Sequence, residues 1–172
     1  MIWKHKGFSL IEVLISIFVI SVGLLGAAGL QIKGIQQAKS SYLRSQASII
    51  AYDMADRMRA NPVGRVNGNY NLPVAVRDAN CLVTVGCSTA NLANHDFFEW
   101  TGNGAALNAI SDILPGGRGI VCIDSTPEDG DLVNNGCDNV GSVYAIKVWW
   151  TDDRREEVAA DRIKQFVTTV SF

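Results

Sequence analysis

The sequence predicts an α+β protein. One long N-terminal helix, its first half membrane-spanning, is expected to pack on a small antiparallel β-sheet head. Three observations predict this. An apolar run fills residues 8–30, a helix-spaced apolar stripe follows it to residue 61, and three segments nearer the C-terminus are dense in β-branched and aromatic residues. The expected organisation is a basic leader at 1–7, a transmembrane helical half at 8–30, an amphipathic half at 31–61 and a globular head at 62–172.

The apolar run "FSLIEVLISIFVISVGLLGAAGL" is 23 residues long. As a helix at about 1.5 Å per residue it spans about 34 Å, enough to cross a hydrocarbon core about 30 Å thick. Lys4 and Lys6 precede it, and positive charge before a first span favours a cytoplasmic N-terminus. The head would then lie outside the inner membrane. A secretory signal peptide has a shorter apolar core, about 7–15 residues. Neither a signal peptide nor a plain anchor accounts for Glu12, the one carboxylate in the run. An acid at the centre of a span costs about 2.5–3.5 kcal/mol on insertion scales, less near the interface. Such a residue either snorkels to the interface or has a partner.

Past the span, Leu43, Ala47, Ile50, Met54 and Met58 recur at intervals of three and four, one face of an amphipathic helix. Arg57 and Arg59 suit the last turn, where the helix dipole favours cations. Asn61 and Pro62 then stop the helix. The result is one helix of about 53 residues, roughly 80 Å long.

The head reads more coarsely. Residues 63–90 are rich in Gly, Asn and Pro and predict a loop with short extended pieces. A helical stretch is expected over 90–114, split by "TGNG" at 101–104, with a turn at "LPGG". "GIVCI" at 119–123, "SVYAIKVWWT" at 142–151 and "RIKQFVTTVSF" at 162–172 predict strands. The charged connection "DDRREEVAAD" lies between the last two, its Arg154, Arg155, Glu156 and Glu157 read as a solvated face.

Charge and motifs exclude several functions. Residues 31–172 carry 13 basic and 16 acidic side chains, which is no electrostatic footprint for nucleic acid. The two histidines are His5, in the leader, and His95, beside Asp96 and without a nucleophile motif. There is no phosphate-binding glycine motif and no zinc-protease helix, so the sequence predicts no enzyme and no cofactor.

Cys81, Cys87, Cys122 and Cys137 all fall in the head. An even count in an oxidising compartment predicts disulfides, and four cysteines allow three pairings. Proximity favours Cys81–Cys87 and Cys122–Cys137. The spacings, with no histidine nearby, do not resemble a zinc site.

"GFSLIEVL" resembles the processing site of type IV pilins and pseudopilins: a basic leader ending in Gly7, then Phe8, then Glu12 as the fifth residue of the mature chain. "GLLGAAGLQ", "DRMRANP", "LPGGRGIVCID" and "YAIKVWWTDDR" resemble the PilV group of minor pilins, the type IV pilus modification proteins. Residues 63–95 match that group only weakly. The resemblance implies cleavage between Gly7 and Phe8 by a prepilin peptidase and methylation of the new Phe8 amine. It implies that Glu12 pairs with the Phe8 amine of a neighbouring subunit, where the two groups share their desolvation cost. The implied partners are other minor pilins, the major pilin and a tip adhesin. The implied setting is the inner membrane and then the pilus, in adhesion and twitching motility. A pseudopilin of a type II secretion system uses the same N-terminal machinery, and a DNA-uptake pilin is a third reading, disfavoured by the acidic head. Gly23, Gly26, Gly29 and Gly34 read either as ordinary membrane-helix glycines or, by resemblance, as a segment able to unwind in a filament. Asp124, Glu128, Asp129, Asp131 and Asp138 crowd one loop, and some pseudopilins carry calcium in this region. The spacing does not match the helix–loop–helix calcium pattern, and a solvated acidic loop is the expected state, with no metal.

Overall fold

Helix α1 runs from Leu10 to Ala60. It belongs to a computed structural model that describes residues 7, 9–102, 109–152 and 162–171. The chain divides into two compact units, residues 1–41 and 42–172.

In the first unit α1 has no buried residue, and Leu14, Phe18, Leu24 and Leu25 are among its exposed apolar side chains. A helix apolar on all sides is the kind found in a membrane or in the core of a larger assembly. Length and composition make it a candidate membrane span.

In the second unit the helix becomes amphipathic. Leu43, Ala47, Ile50, Ala51, Met54, Ala55 and Met58 form its buried stripe, which includes every position that the spacing predicts. Burial starts at Leu43; residues 31–42, expected in the amphipathic half, contribute nothing to it. Pro62 ends α1 sterically by restricting the residue before it. It does not open a loop, however. Asn61 turns the chain, its Oδ1 accepts the Gly64 N–H at 3.1 Å, and Pro62 starts a short helix α2, Pro62–Val66. A proline at the first helical position loses no hydrogen bond there, which is why the segment expected as loop is helical. A short 3-10 turn at Ala79–Leu82 is the other departure within 63–90.

Helix α3, Thr89–Thr101, is capped by Ser88, whose hydroxyl accepts the Asn91 N–H. It ends at Gly102, which adopts the left-handed conformation (φ 85°) that favours glycine. The expected interruption therefore falls inside "TGNG", though residues 103–108 lie outside the described set. A single turn, α4 at Ile110–Ile113, follows.

Three strands form one antiparallel sheet in the order β1 (Arg118–Ile123), β2 (Val143–Thr151), β3 (Ile163–Ser171). The pairing places Val121 opposite Ile146 and Cys122 opposite Ala145; across β2, Ile146 faces Thr168. Tyr144, Ile146, Val148 and Trp150 join Met54, Met58, Trp100 and Leu114 in the core. The alternate residues Ala145, Lys147 and Trp149 are buried as well. A strand buried on both faces reads as an unbroken apolar run, and "VYAIKVWW" is such a run except for its lysine. The core is tied by polar contacts at its edges: Trp100 Nε1 donates to the Ile50 carbonyl at 2.8 Å, and Tyr144 Oη to the Arg65 carbonyl at 2.7 Å. The charged connection at 153–161 is outside the described residues.

Candidate functional site: the N-terminal helix and the head loops

The N-terminal motif sits at the start of α1. Gly7 and Ser9 are exposed, and Phe8 lies outside the described residues. Ser9 opens the helix: its carbonyl accepts the Glu12 N–H at 3.0 Å and the Val13 N–H at 3.3 Å. Glu12 stands in the first turn, where an acid is favourable to the helix dipole. Its side chain is exposed and, among the described residues, has no ion pair within the chain. Gly23, Gly26, Gly29 and Gly34 all lie within continuous helix, with open space where a side chain would be.

The head holds two disulfides, Cys81–Cys87 and Cys122–Cys137, and no free cysteine among the described residues. The first closes the turn before α3. The second joins β1 to the far end of the acidic loop and so fixes both ends of that loop. Asp78 lies close to the sulfurs of Cys81 and Cys87, but sulfurs joined to each other are not the thiolates that bind metal.

The head holds two polar clusters, the first of which went unread in the sequence. The first lies between the end of α1 and α3. Arg57 donates to Glu99 at 2.8 Å and to Asp53 at 3.0 Å, and stands 3.5 Å from Asp96. Tyr70 Oη donates to Asp96 Oδ2 at 2.5 Å and accepts from Asn61 Nδ2 at 3.3 Å. The same Asn61 amide donates to the Thr89 carbonyl at 2.9 Å. His95 is buried; its Nδ1 accepts the Asp78 N–H at 3.2 Å, which leaves the ring proton on Nε2, 3.3 Å from Glu99. Burial works against the Arg57 charge, yet the Glu99 and Asp53 carboxylates hold its pKa above the ordinary arginine value. The Arg57 hydrogen bond holds Glu99 below the usual glutamate range, while burial pushes Asp96 up. Arg57, Glu99, Asp96, Tyr70 and Asn61 are engaged with one another, so the cluster ties the end of α1 to α3. His95 and Asp96 belong to that tie.

The second cluster is the acidic loop, 124–138. Asp131 accepts the Val133 and Asn134 N–H groups, both at 2.7 Å, and these backbone donors lower its pKa. Asp138 accepts from the Ser125 hydroxyl and from the Val140 N–H, and the Ser125 bond is the main cause of its lowered pKa. Asp124 departs from the expectation of a solvated loop. It is fully buried, with its carboxylate 2.6 Å from Lys147 Nζ. The only sequence signal was the single lysine inside an apolar strand.

The comparisons with known proteins agree with this anatomy. Residues 29–98 match the family model for the type IV pilin Tt1218, and residues 4–28 match the prokaryotic N-terminal methylation motif. No curated protein and no solved structure matches the chain. A long apolar N-terminal helix, a three-stranded antiparallel sheet and these two matches define a type IV pilin-like protein. It is a structural protein and not an enzyme. The methylation motif implies processing by a prepilin peptidase and a pilus-assembly context, and with the apolar helix it supports membrane anchoring.

Proposed function

We propose that this protein is a minor pilin of the PilV type that takes part in initiating and assembling a type IV pilus. The observation that carries the reading is the methylation motif at residues 4–28, placed at the head of a helix with no buried residue before Leu43. Prepilin peptidase cuts between Gly7 and Phe8, and the Phe8 amine is methylated. The N-terminus is cytoplasmic and the head periplasmic while the protein waits in the inner membrane. The apolar half of α1 then packs with other minor pilins and the major pilin, and Glu12 meets the Phe8 amine of a neighbour. The head takes its place at the pilus tip beside an adhesin, which links the protein to adhesion and twitching motility. No nucleic acid is needed for this role, in keeping with the acidic head.

N-terminal mass analysis of the mature protein tests the assignment. The expected product begins at N-methylated Phe8, and a Gly7 substitution leaves a longer membrane-bound precursor. Mature protein that begins at Met1, or near Ala27, would overturn it. A deletion strain separates the pilus from a secretion apparatus: surface pili should fall in number. Normal pili with failed export of secreted enzymes would instead identify a pseudopilin.

A further inference from the structure

Lys147 lies at the middle of β2 and is fully buried. It points away from the helix-facing core into the disulfide-closed loop. Its ammonium nitrogen is 2.6 Å from Asp124 Oδ2, 3.0 Å from Asp129 Oδ1, and 2.9 Å from each of the carbonyl oxygens of Asp129 and Asn135. Four oxygens thus converge on a group with three N–H donors. Two carboxylate and two carbonyl oxygens are of the types that hard divalent cations take, and calcium, which binds about six to eight oxygens, would complete its shell with water.

We propose that Lys147 is the built-in cation of this loop: it fills an oxygen site of the calcium class, so the native loop closes without metal, and removing the ammonium leaves a site that calcium can occupy. Charge supports this. Two carboxylates around one ammonium leave a negative excess that a divalent ion would cancel. Size supports it too, since calcium takes oxygens at about 2.3–2.6 Å and the converging oxygens need move in only slightly. Asp124 and Asp129 are the carboxylates that reach the ammonium, and each keeps its other oxygen on Thr126, Asp124 on its N–H and Asp129 on its hydroxyl, whereas Asp131 and Asp138 accept from Val133, Asn134, Ser125 and Val140 instead. Gly136 adopts a positive φ of 71°, and a side chain there would run into the Asp129 carboxylate. The backbone is therefore shaped to hold that carboxylate beside the lysine.

The test uses the full chain in detergent micelles, melted in calcium and in a chelator, with calcium titration by calorimetry. Wild type should melt at the same temperature in both and show no binding heat. Lys147→Met should melt lower in chelator and recover saturably with calcium, with binding heat to match. Adding Asp129→Asn to that variant should abolish the recovery, while Asp129→Asn alone, at a half-exposed carboxylate, should lower the melting temperature equally in both conditions. Saturable stabilisation of wild type by calcium would overturn the proposal. So would a Lys147→Met protein that is folded but indifferent to calcium, or one that stays unfolded even in excess calcium.

Discussion

At the scale of single residues, the head depends on charges that are placed inside it and individually matched. Glu99 and Asp96 both face Arg57, yet they respond to pH with opposite sign. Glu99 has its pKa lowered in the fold, so its contribution is present above the ordinary glutamate value and is lost as pH falls through the lowered one. Asp96 has its pKa raised by burial, so its ionised form is a cost at neutral pH that is relieved as the carboxyl takes up a proton. Glu99→Gln should therefore destabilise the protein by about 1 kcal/mol at neutral pH, with the difference from wild type vanishing in acid. Asp96→Asn keeps an acceptor for Tyr70 and removes the buried charge. It should leave stability equal or slightly higher at neutral pH, with the balance shifting toward wild type as pH falls. Urea unfolding of the two variants across the acid range checks this; pH dependences of the same sign would refute the account.

At the scale of elements, the two disulfides hold loops of different size and consequence. Cys81 and Cys87 are separated by 6 positions, Cys122 and Cys137 by 15. On chain entropy alone, removing the first should cost about 2 kcal/mol and the second about 3 kcal/mol. The second loop also carries Asp124 and Asp129 to Lys147, so the double serine variant at Cys122 and Cys137 should lose more than that figure and raise amide exchange throughout 124–138. The matching variant at Cys81 and Cys87 should leave exchange in that loop unchanged. Equal effects of the two on the loop would count against this division of labour. The same contrast explains what was legible in the sequence. Periodicity announced α1 and the strands because burial on one face, or on both, must repeat with the backbone. Leu43 to Met58 and "VYAIKVWW" left little choice. The partners of Arg57, Asn61 and Lys147 had no such repeat. Arg57 meets Glu99 across 42 positions and Lys147 meets Asp129 across 18, and only the fold brings them together. The α2 helix was missed for a local reason, since proline and glycine in "NPVGRV" signal a break as readily as a first turn.

At the scale of the whole molecule, the two units make different demands on their surroundings. Residues 42–172 bury their own core, whereas the helix before Leu43 exposes apolar side chains on every side and finds no burial within the chain. Such a helix needs lipid or other helices, and on the function proposed above it meets both in turn. Glu12 is where those two environments disagree. In lipid its charge is a cost; on the pairing proposed above, within an assembly it meets the Phe8 amine of a neighbour. Glu12→Leu should therefore insert into the membrane at least as well as wild type, since a charge is removed from the span. Cleavage at Gly7 should persist, because the glycine and the apolar run are intact. Assembly is the step that should fail. The neighbour's amine would be buried without a partner, a loss of about 3–5 kcal/mol in a dry site. The measurements are the mass of the mature N-terminus, co-purification with partner pilins, and recovery in sheared pili. The expected pattern is correct processing, normal membrane recovery and no entry into pili. A Glu12→Leu protein that is processed, co-purifies and enters pili like wild type would show that the carboxylate only reaches for the interface, and the pairing of Glu12 with Phe8 would have to be abandoned.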